Sequence, residues 1–259
     1  MASAGATFVT LVVELSDGIG RLTLNQPDRL NPLGSDTLTE IAEAARWFDD
    51  EGARVVVVTS AGDRAFSAGF DLREISGPSD EPPDVDLGYR MVDAIERMEA
   101  ITIAAIHGHC VGGGILLAVG CDLRIAADNT RFSIPEVDLG IPLAWGGIPR
   151  LVREVGPAVT RELVMTCRRF DAVEAQVLVL VNRVVPCDRL WAETDELASS
   201  LAAKPVSLLR TTKRQVHDAA EDLVSTQSGW TASAHLAVAL ADPGARAAAA
   251  RYLAGRGGR

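Results

Sequence analysis

At 259 residues the chain is long enough for one large α/β domain or two small ones, either of which buries a substantial core. A net charge of −10 and a pI near 4.9 exclude a general nucleic-acid or anionic-membrane surface, both of which need a basic face, but leave room for an anionic small ligand held by backbone N–H groups and a local cation. No apolar run reaches the roughly 18 residues of a membrane span, the start MASAGATFV lacks the features of a signal peptide, and Cys110, Cys121, Cys167 and Cys187 show no CxxC spacing, so the reading is a soluble cytoplasmic protein with buried free thiols.

Residues 8–15 (FVTLVVEL) and 20–25 are β-like runs separated by Ser16-Asp17-Gly18, which predicts an opening hairpin. The segment PDRLNP (27–32) breaks that pattern. Leu38, Ile41, Ala42, Ala45 and Phe48 then recur at helical spacing, with Thr37 and Glu40 at capping-box distance, so an amphipathic helix is predicted over 36–50. RVVVVT (54–59) reads as a buried parallel strand. The stretch 61–75 (AGDRAFSAGFDLREI) is turn-rich: either an ordinary βα loop or a glycine turn that aims backbone N–H groups at a ligand. Residues 76–86 (SGPSDEPPDVD) have almost no apolar side chain and predict an exposed loop, placed to act as a lid or simply to lie on the surface.

A helix over 89–99, with Met91, Val92, Ile95 and Met98 on one face, feeds a strand over 101–106. After Gly112, Gly113 and Gly114 comes a helix over 115–119 that is apolar all round and therefore buried, then strands over 122–127 and 131–134. Strand, glycine turn, buried helix and strand thus occur twice. Beyond Glu136 the pattern turns helical over 146–156, 157–166 and 171–179, the last with Asp171 and Glu174 as a capping box, before a short strand over 181–185. Helices over 190–203, 206–240 and 245–253 follow, and 255–259 should fray. No linker forces an independent second domain. The division is a core over 1–195 that carries the site and a helical region over 196–259 that packs on it or on a neighbouring subunit.

Two features carry chemistry. Three adjacent glycines directly before a helix let the backbone approach a ligand closely and leave the first helical N–H groups unpaired. Glu136, a carboxylate after an apolar strand in the same unit, is the candidate base beside those donors, although a Glu at a strand end is usually a surface acid. His107 and His109 form an HxH pair with no third ligand in view and read as core or turn histidines, so no metal site is expected. Neither a GxSxG elbow nor a Rossmann GxGxxG stands in strand–turn–helix context, and Ser67 has no local catalytic partner, which argues against hydrolase and dehydrogenase chemistry.

The segments LNQPDRLNPL (24–33), AFSAGFDL (65–72), HGHCVGGGILLAVGCDLRIAAD (107–128), FSIPEVDLGI (132–141) and RRFDAVEAQVLVLVNRVV (168–185) occur in the order and at the spacing of the crotonase, or enoyl-CoA hydratase/isomerase, superfamily, which the chain resembles from about residue 8 to its C-terminal helices. The resemblance implies an α/β fold with a ββα spiral core and a helical C-terminal region that assembles a homotrimer or a dimer of trimers. It also implies an acyl-CoA thioester as ligand, with coenzyme A as part of the substrate and no separate cofactor. Carried over by position, the two oxyanion donors fall on the N–H groups of Phe70 and Gly113, and Glu136 is the catalytic acid/base. Arg29, Leu30, Ala68 and Leu72 would line the coenzyme A groove, with Arg29 placed to meet a phosphate. Gly69, Asp71, Gly112, Leu116, Pro135, Leu143 and Trp145 complete the substrate-binding set, Asp71 reading as a loop cap more than a base.

One departure from the hydratase pattern matters most. Hydratases of this superfamily carry two glutamates, and the first falls here on Leu116, so only Glu136 remains. Syn hydration uses two carboxylates to handle a water and a proton. Shifting a double bond from C3–C4 to C2–C3 needs one base that removes a proton from C2 and returns it to C4. The single-glutamate site therefore matches the isomerase pattern, and the further acid expected of dienoyl isomerases is Ala144. A hydratase-like lyase and a non-catalytic acyl-CoA binder remain as alternatives.

Overall fold

The computed structural model describes residues 7–76, 84–226 and 229–256. The chain opens on a hairpin in which β1 (Leu11–Ser16) and β2 (Ile19–Leu24) pair antiparallel about Asp17 and Gly18, both at positive φ. A 3-10 turn (Pro27–Arg29) leads into α1 (Ser35–Asp50), and β3 (Val55–Ser60) returns parallel to β2. Among the described residues three turns of a spiral follow, each laying a long strand in one sheet and a short strand in a second before turning helical. The first is β3, β4 (Ala65–Ser67), α2 (Arg73–Ser76) and α3 (Leu87–Arg97). The second is β5 (Ile101–Ile106), β6 (His109–Val111) and α4 (Gly113–Val119); the third is β7 (Leu123–Ala127), β8 (Arg131–Ser133) and α5 (Gly147–Thr166). Then β9 (Phe170–Asp171), α6 (Ala172–Val177) and β10 (Arg183–Val185) close the two sheets, ordered β1-β2-β3-β5-β7-β10 and β4-β6-β8-β9. Helices α7 (Leu190–Ala202), α8 (Val206–Leu223), α9 (Gly229–Ala241) and α10 (Pro243–Arg256) complete the chain.

The β-branched runs are buried on both faces, as a parallel sheet covered by helices requires. Val56, Val58, Ala104 and Ile106 join Leu38, Ile41 and Phe48 of α1 and Met91, Val92 and Ile95 of α3 in the main core. Val55, Val57, Ile101 and Ile103 face the other way, onto Leu190 and Ala198 of α7.

Several local expectations are corrected. The strands β4 and β6 lie where the sequence reads only as loop or turn, because three residues are too few for alternation to register. Thr37 and Glu40 do not form a capping box: α1 begins at Ser35, and the Glu74 carboxylate accepts from Ser35 N (2.8 Å) and Ser35 Oγ (2.6 Å). Glu40 instead pins the N-terminal segment, accepting from the backbone N of Val9 and Thr10 at 2.8 Å each. By contrast Asp171 does cap α6, accepting from Glu174 N at 2.9 Å. The helix expected over 206–240 is two helices, since Val224 turns extended (φ −145°, ψ 95°) and Glu221 draws in Thr226 N (3.0 Å). The two helices expected over 146–156 and 157–166 are there as the two arms of α5, which breaks at non-helical Gly156 (φ 77°, ψ 165°) just before Pro157. Cys110 and Cys121 are buried, but Cys167 is half-buried and Cys187, on a surface 3-10 turn, is exposed. Most of the loop expected over 76–86, with its lid role, lies outside the described residues, as do 257–259 of the tail. Among the described residues no helix is long and apolar enough to cross a membrane.

Candidate active site

The first donor turn is fastened by residues far apart in sequence. Asn31 is buried and left-handed (φ 51°), a conformation its short polar side chain tolerates. Its Nδ2 donates to the carbonyls of Ala61 (3.0 Å) and Ala65 (2.9 Å), and its Oδ1 accepts from Gln26 N (2.9 Å). Ser67 Oγ donates to the Asn31 carbonyl (2.7 Å) and accepts from Gly69 N (3.1 Å). Leu33 and Phe70 then form a parallel bridge in which Leu33 N donates to Gly69 O (2.8 Å) and Asp71 N to Leu33 O (3.3 Å). Because the residues on either side of Phe70 bond toward Leu33, the N–H of Phe70 points the opposite way. No acceptor meets it among the described residues.

The second turn is built by β6 and α4. Gly112 N donates to Ser133 O (2.9 Å), and its φ of 51° with ψ of −117° is a backbone shape open to glycine. Gly113 is the first residue of α4, so its N–H has no place in the helical ladder. The two turns are in contact: a Cβ on Gly69 (φ 83°) would fall 2.6 Å from Val111 O and 3.4 Å from Gly113 N. Bare backbone at Gly69 thus lets the Phe70 and Gly113 donors address one space.

Glu136 stands beside them. The chain leaves β8 and brings the carboxylate against Gly112, where any Cβ would overlap Glu136 Oε1. The side chain is 9% exposed, and Oε2 has no hydrogen-bond partner among the described residues. Phe70, Gly113, Leu116, Ile141, Leu143 and Trp145 line the same pocket. This buried, mostly apolar setting disfavours the charged form and raises the Glu136 carboxyl from an ordinary 4.5 to about 7. Asp84 is the other acid on the pocket wall, but it is exposed at the rim and bound to Arg90 (2.5 Å), which holds its carboxyl below the usual range.

Of the residues singled out from sequence, Phe70, Gly113, Leu116, Glu136, Leu143 and Trp145 share this pocket, and Gly69 and Gly112 are the backbone that lets them meet. Pro135 is buried behind it, its carbonyl accepting from Leu139 N (3.0 Å). Arg29, Leu30, Ala68, Asp71 and Leu72 belong to the loops on the Asn31 side, where Ala68 N donates to Leu30 O (2.9 Å). The Arg29 guanidinium is engaged there by Asp71 and by Gln26 Oε1 (2.9 Å), and Asp71 also accepts from Arg73 N (3.2 Å). Sequence reasoning missed Asn31 and Ser67 as the fasteners of the first turn. It also missed Arg150, which is 1% exposed, bonds Glu96 Oε2 (2.6 Å) and donates to the carbonyls of Trp145 (3.2 Å) and Gly146 (3.4 Å).

Residues 14–242 match the family model described as enoyl-CoA hydratase/isomerase. The chain is 35% identical to a probable enoyl-CoA hydratase of Mycobacterium bovis, the match covering 85% of each chain. It is 39% identical to the carnitinyl-CoA dehydratase of Escherichia coli K12, over 70% of this chain and 69% of that one. Its structure superposes on that of an enoyl-CoA hydratase from Mycobacterium avium subsp. paratuberculosis with a TM-score of 0.87 at 29% identity, covering 95% and 99% of the two chains. The ββα spiral is therefore the crotonase fold, and the chain belongs to the enoyl-CoA hydratase/isomerase family of acyl-CoA enzymes.

Proposed function

We propose that the site shifts the double bond of a 3-enoyl-CoA to the 2-position, with Glu136 as the only proton carrier. The observation that carries this reading is the pocket's acid inventory: Glu136 is buried with Oε2 unpartnered, Asp84 is tied to Arg90, and Leu116 on the wall stands where the family's hydratases carry their first glutamate. The thioester carbonyl oxygen accepts hydrogen bonds from Phe70 N–H and Gly113 N–H. Ionised Glu136 takes the C2 proton, and the electron pair of that C–H bond passes into the carbonyl to give an enolate. Each donor facing that oxygen is worth about 2.7–4 kcal/mol. The enolate then collapses: C2=C3 forms, the C3=C4 pair takes the proton back from Glu136 at C4, and the carboxylate is regenerated. A raised carboxyl suits both halves, because it is a stronger base when ionised and gives up its proton near neutral pH. Coenzyme A enters only as part of the substrate, along the loops that carry Leu30, Ala68 and Leu72.

The names of the relatives favour a second reading, hydration of a 2-enoyl-CoA or the reverse dehydration. Crotonyl-CoA and a 3-enoyl-CoA offered to one preparation in a spectrophotometric assay separate the two. Turnover of the 3-enoyl substrate with none of crotonyl-CoA supports isomerisation, and the opposite result overturns it. Assembly as a trimer or dimer of trimers belongs to the same reading: α8 buries no side chain, and Leu208 and Val216 are each 64% exposed. Light scattering that found a stable monomer at micromolar concentration would overturn it.

A further inference from the structure

Trp145 is held in the pocket wall from several sides. Its backbone is left-handed (φ 58°), and so is that of Gly146 (φ 66°). An indole-bearing residue held in that conformation needs the surrounding structure to hold it there. Arg150 does so, donating to the Trp145 and Gly146 carbonyls while Glu96 anchors its other end. The ring itself fills room that two glycines leave free. A Cβ on Gly88 of α3 would collide with the fused atoms of the indole, and one on Gly113 with its benzo edge. Phe70 meets it edge-on, with ring centroids 6.0 Å apart. The ring is thus wedged between α3 and the oxyanion turn, in contact with both residues that carry the donor N–H groups.

The wedge lies against a small space. The pocket is small, with about 60 Å³ open to the centres of water-sized groups, room for a thioester carbonyl and a short acyl chain. The neighbouring walls, Leu116 and Leu143, are packed over Gly147, where a Cβ would fall 2.9 Å from atoms of both leucines. They close the same side of the pocket as the indole.

We propose that Trp145 sets the size of the acyl group, acting as a fixed wall that admits short chains and turns away medium and long ones. The inference rests on the reading that Phe70 N–H and Gly113 N–H hold an acyl-CoA thioester, and it does not depend on which reaction follows. The test uses saturated butyryl-, octanoyl- and dodecanoyl-CoA, which can be neither isomerised nor hydrated, titrated calorimetrically into the wild type and Trp145→Leu. The wild type should prefer butyryl-CoA to octanoyl-CoA by roughly tenfold or more, and Trp145→Leu should remove or reverse that preference, read as the ratio of the two affinities. A purely structural role would weaken all three ligands together, and that result would overturn the assignment. So would an unchanged chain-length profile in the variant, or a wild type that binds dodecanoyl-CoA as well as butyryl-CoA. If none of the three binds the wild type, the acyl-CoA reading of the site falls and this inference falls with it. Should Trp145→Leu fail to fold, Trp145→Phe keeps a ring against Gly88 and removes only part of the wall. Its limit should move to hexanoyl-CoA, and an unmoved limit overturns the proposal.

Discussion

Replacing Glu136 with glutamine separates the electrostatic strain at the site from its chemistry. The carboxyl is moved by burial from an ordinary 4.5 to about 7, which corresponds to about 3 kcal/mol of differential stability between its two protonation states. The sign follows from proton counting. Between pH 4.5 and 7 the folded protein keeps a proton that the unfolded chain has released, so folding stability falls as pH rises through this window and the full cost is present above pH 7. Glutamine has the same shape and no charge to desolvate. Glu136→Gln should therefore match the wild type near pH 4.5 and exceed it at pH 8 by about 3 kcal/mol, roughly 6–12 °C in melting temperature for a chain of this size. Thermal unfolding of both proteins from pH 4.5 to 8, at matched concentration, reads this directly. In the same variant conversion of a 3-enoyl-CoA should vanish while acyl-CoA binding persists, and in the wild type kcat/KM should rise with pH to a plateau through an apparent pKa near 7. Parallel pH–stability curves for the two proteins would refute the desolvation argument. Turnover by Glu136→Gln at the wild-type rate would remove Glu136 from the mechanism, and loss of binding together with turnover would make its role structural.

Gly112→Ala places a Cβ onto Glu136 Oε1 at a residue with φ of 51°, so turnover should fall by roughly a hundredfold or more; a near-wild-type rate would show that the carboxylate and the donor turn need not meet as they do. Leu116→Glu should raise hydration of a 2-enoyl-CoA from its starting level at a cost of several kcal/mol in stability, and no gain in a folded variant would mean the pocket differs from a hydratase in more than one residue. Arg150→Met leaves Glu96 with Arg153 (3.2 Å) but takes away its closest partner, so denaturant unfolding should report a loss of about 3–5 kcal/mol; a neutral result would show that the buried pair with Glu96 is dispensable.

What could be read from the sequence was what repeats or what stands next to itself. The run Val55 to Val58 and the spacing of Leu38, Ile41, Ala45 and Phe48 declare a buried strand and a one-sided helix because their signal is local and periodic. Gly112 to Gly114 were legible for a similar reason: adjacent glycines before an apolar helix have few uses other than close approach. The fasteners were not legible, since each needs a partner dozens of residues away. Ser67 looked idle until Asn31 was beside it, and Glu74 was one more acid in a turn-rich stretch until Ser35 lay within 2.8 Å. Arg150 was hidden by its own chemistry, because an arginine on a helix is read as a solvated face and only the fold reveals Glu96 and the Trp145 carbonyl around it. The break between α8 and α9 was announced only by the polar run ending in Ser228-Gly229, which the long helical pattern masked, and in the fold Glu221 draws in Thr226 there.

Leu116 and Glu136 are best understood as one change with two consequences. In a site with acids at both positions, each carboxylate raises the other's pKa by like-charge repulsion, and the protons come off in steps that belong to the pair. Such a pair can divide the labour of positioning a water and delivering a proton. Here Leu116 is 2% exposed and packs with Leu143 over Gly147, so the position withholds a charge and adds to the apolar wall. Burial is what raises the Glu136 carboxyl to about 7. A lone acid near that value is half-ionised at neutral pH, able to take a proton from one carbon and to give it back to another without a second group. On the proposed isomerisation, the leucine that withholds a second carboxylate is thus also part of the apolar wall that keeps Glu136 raised and suited to carry the proton in both directions.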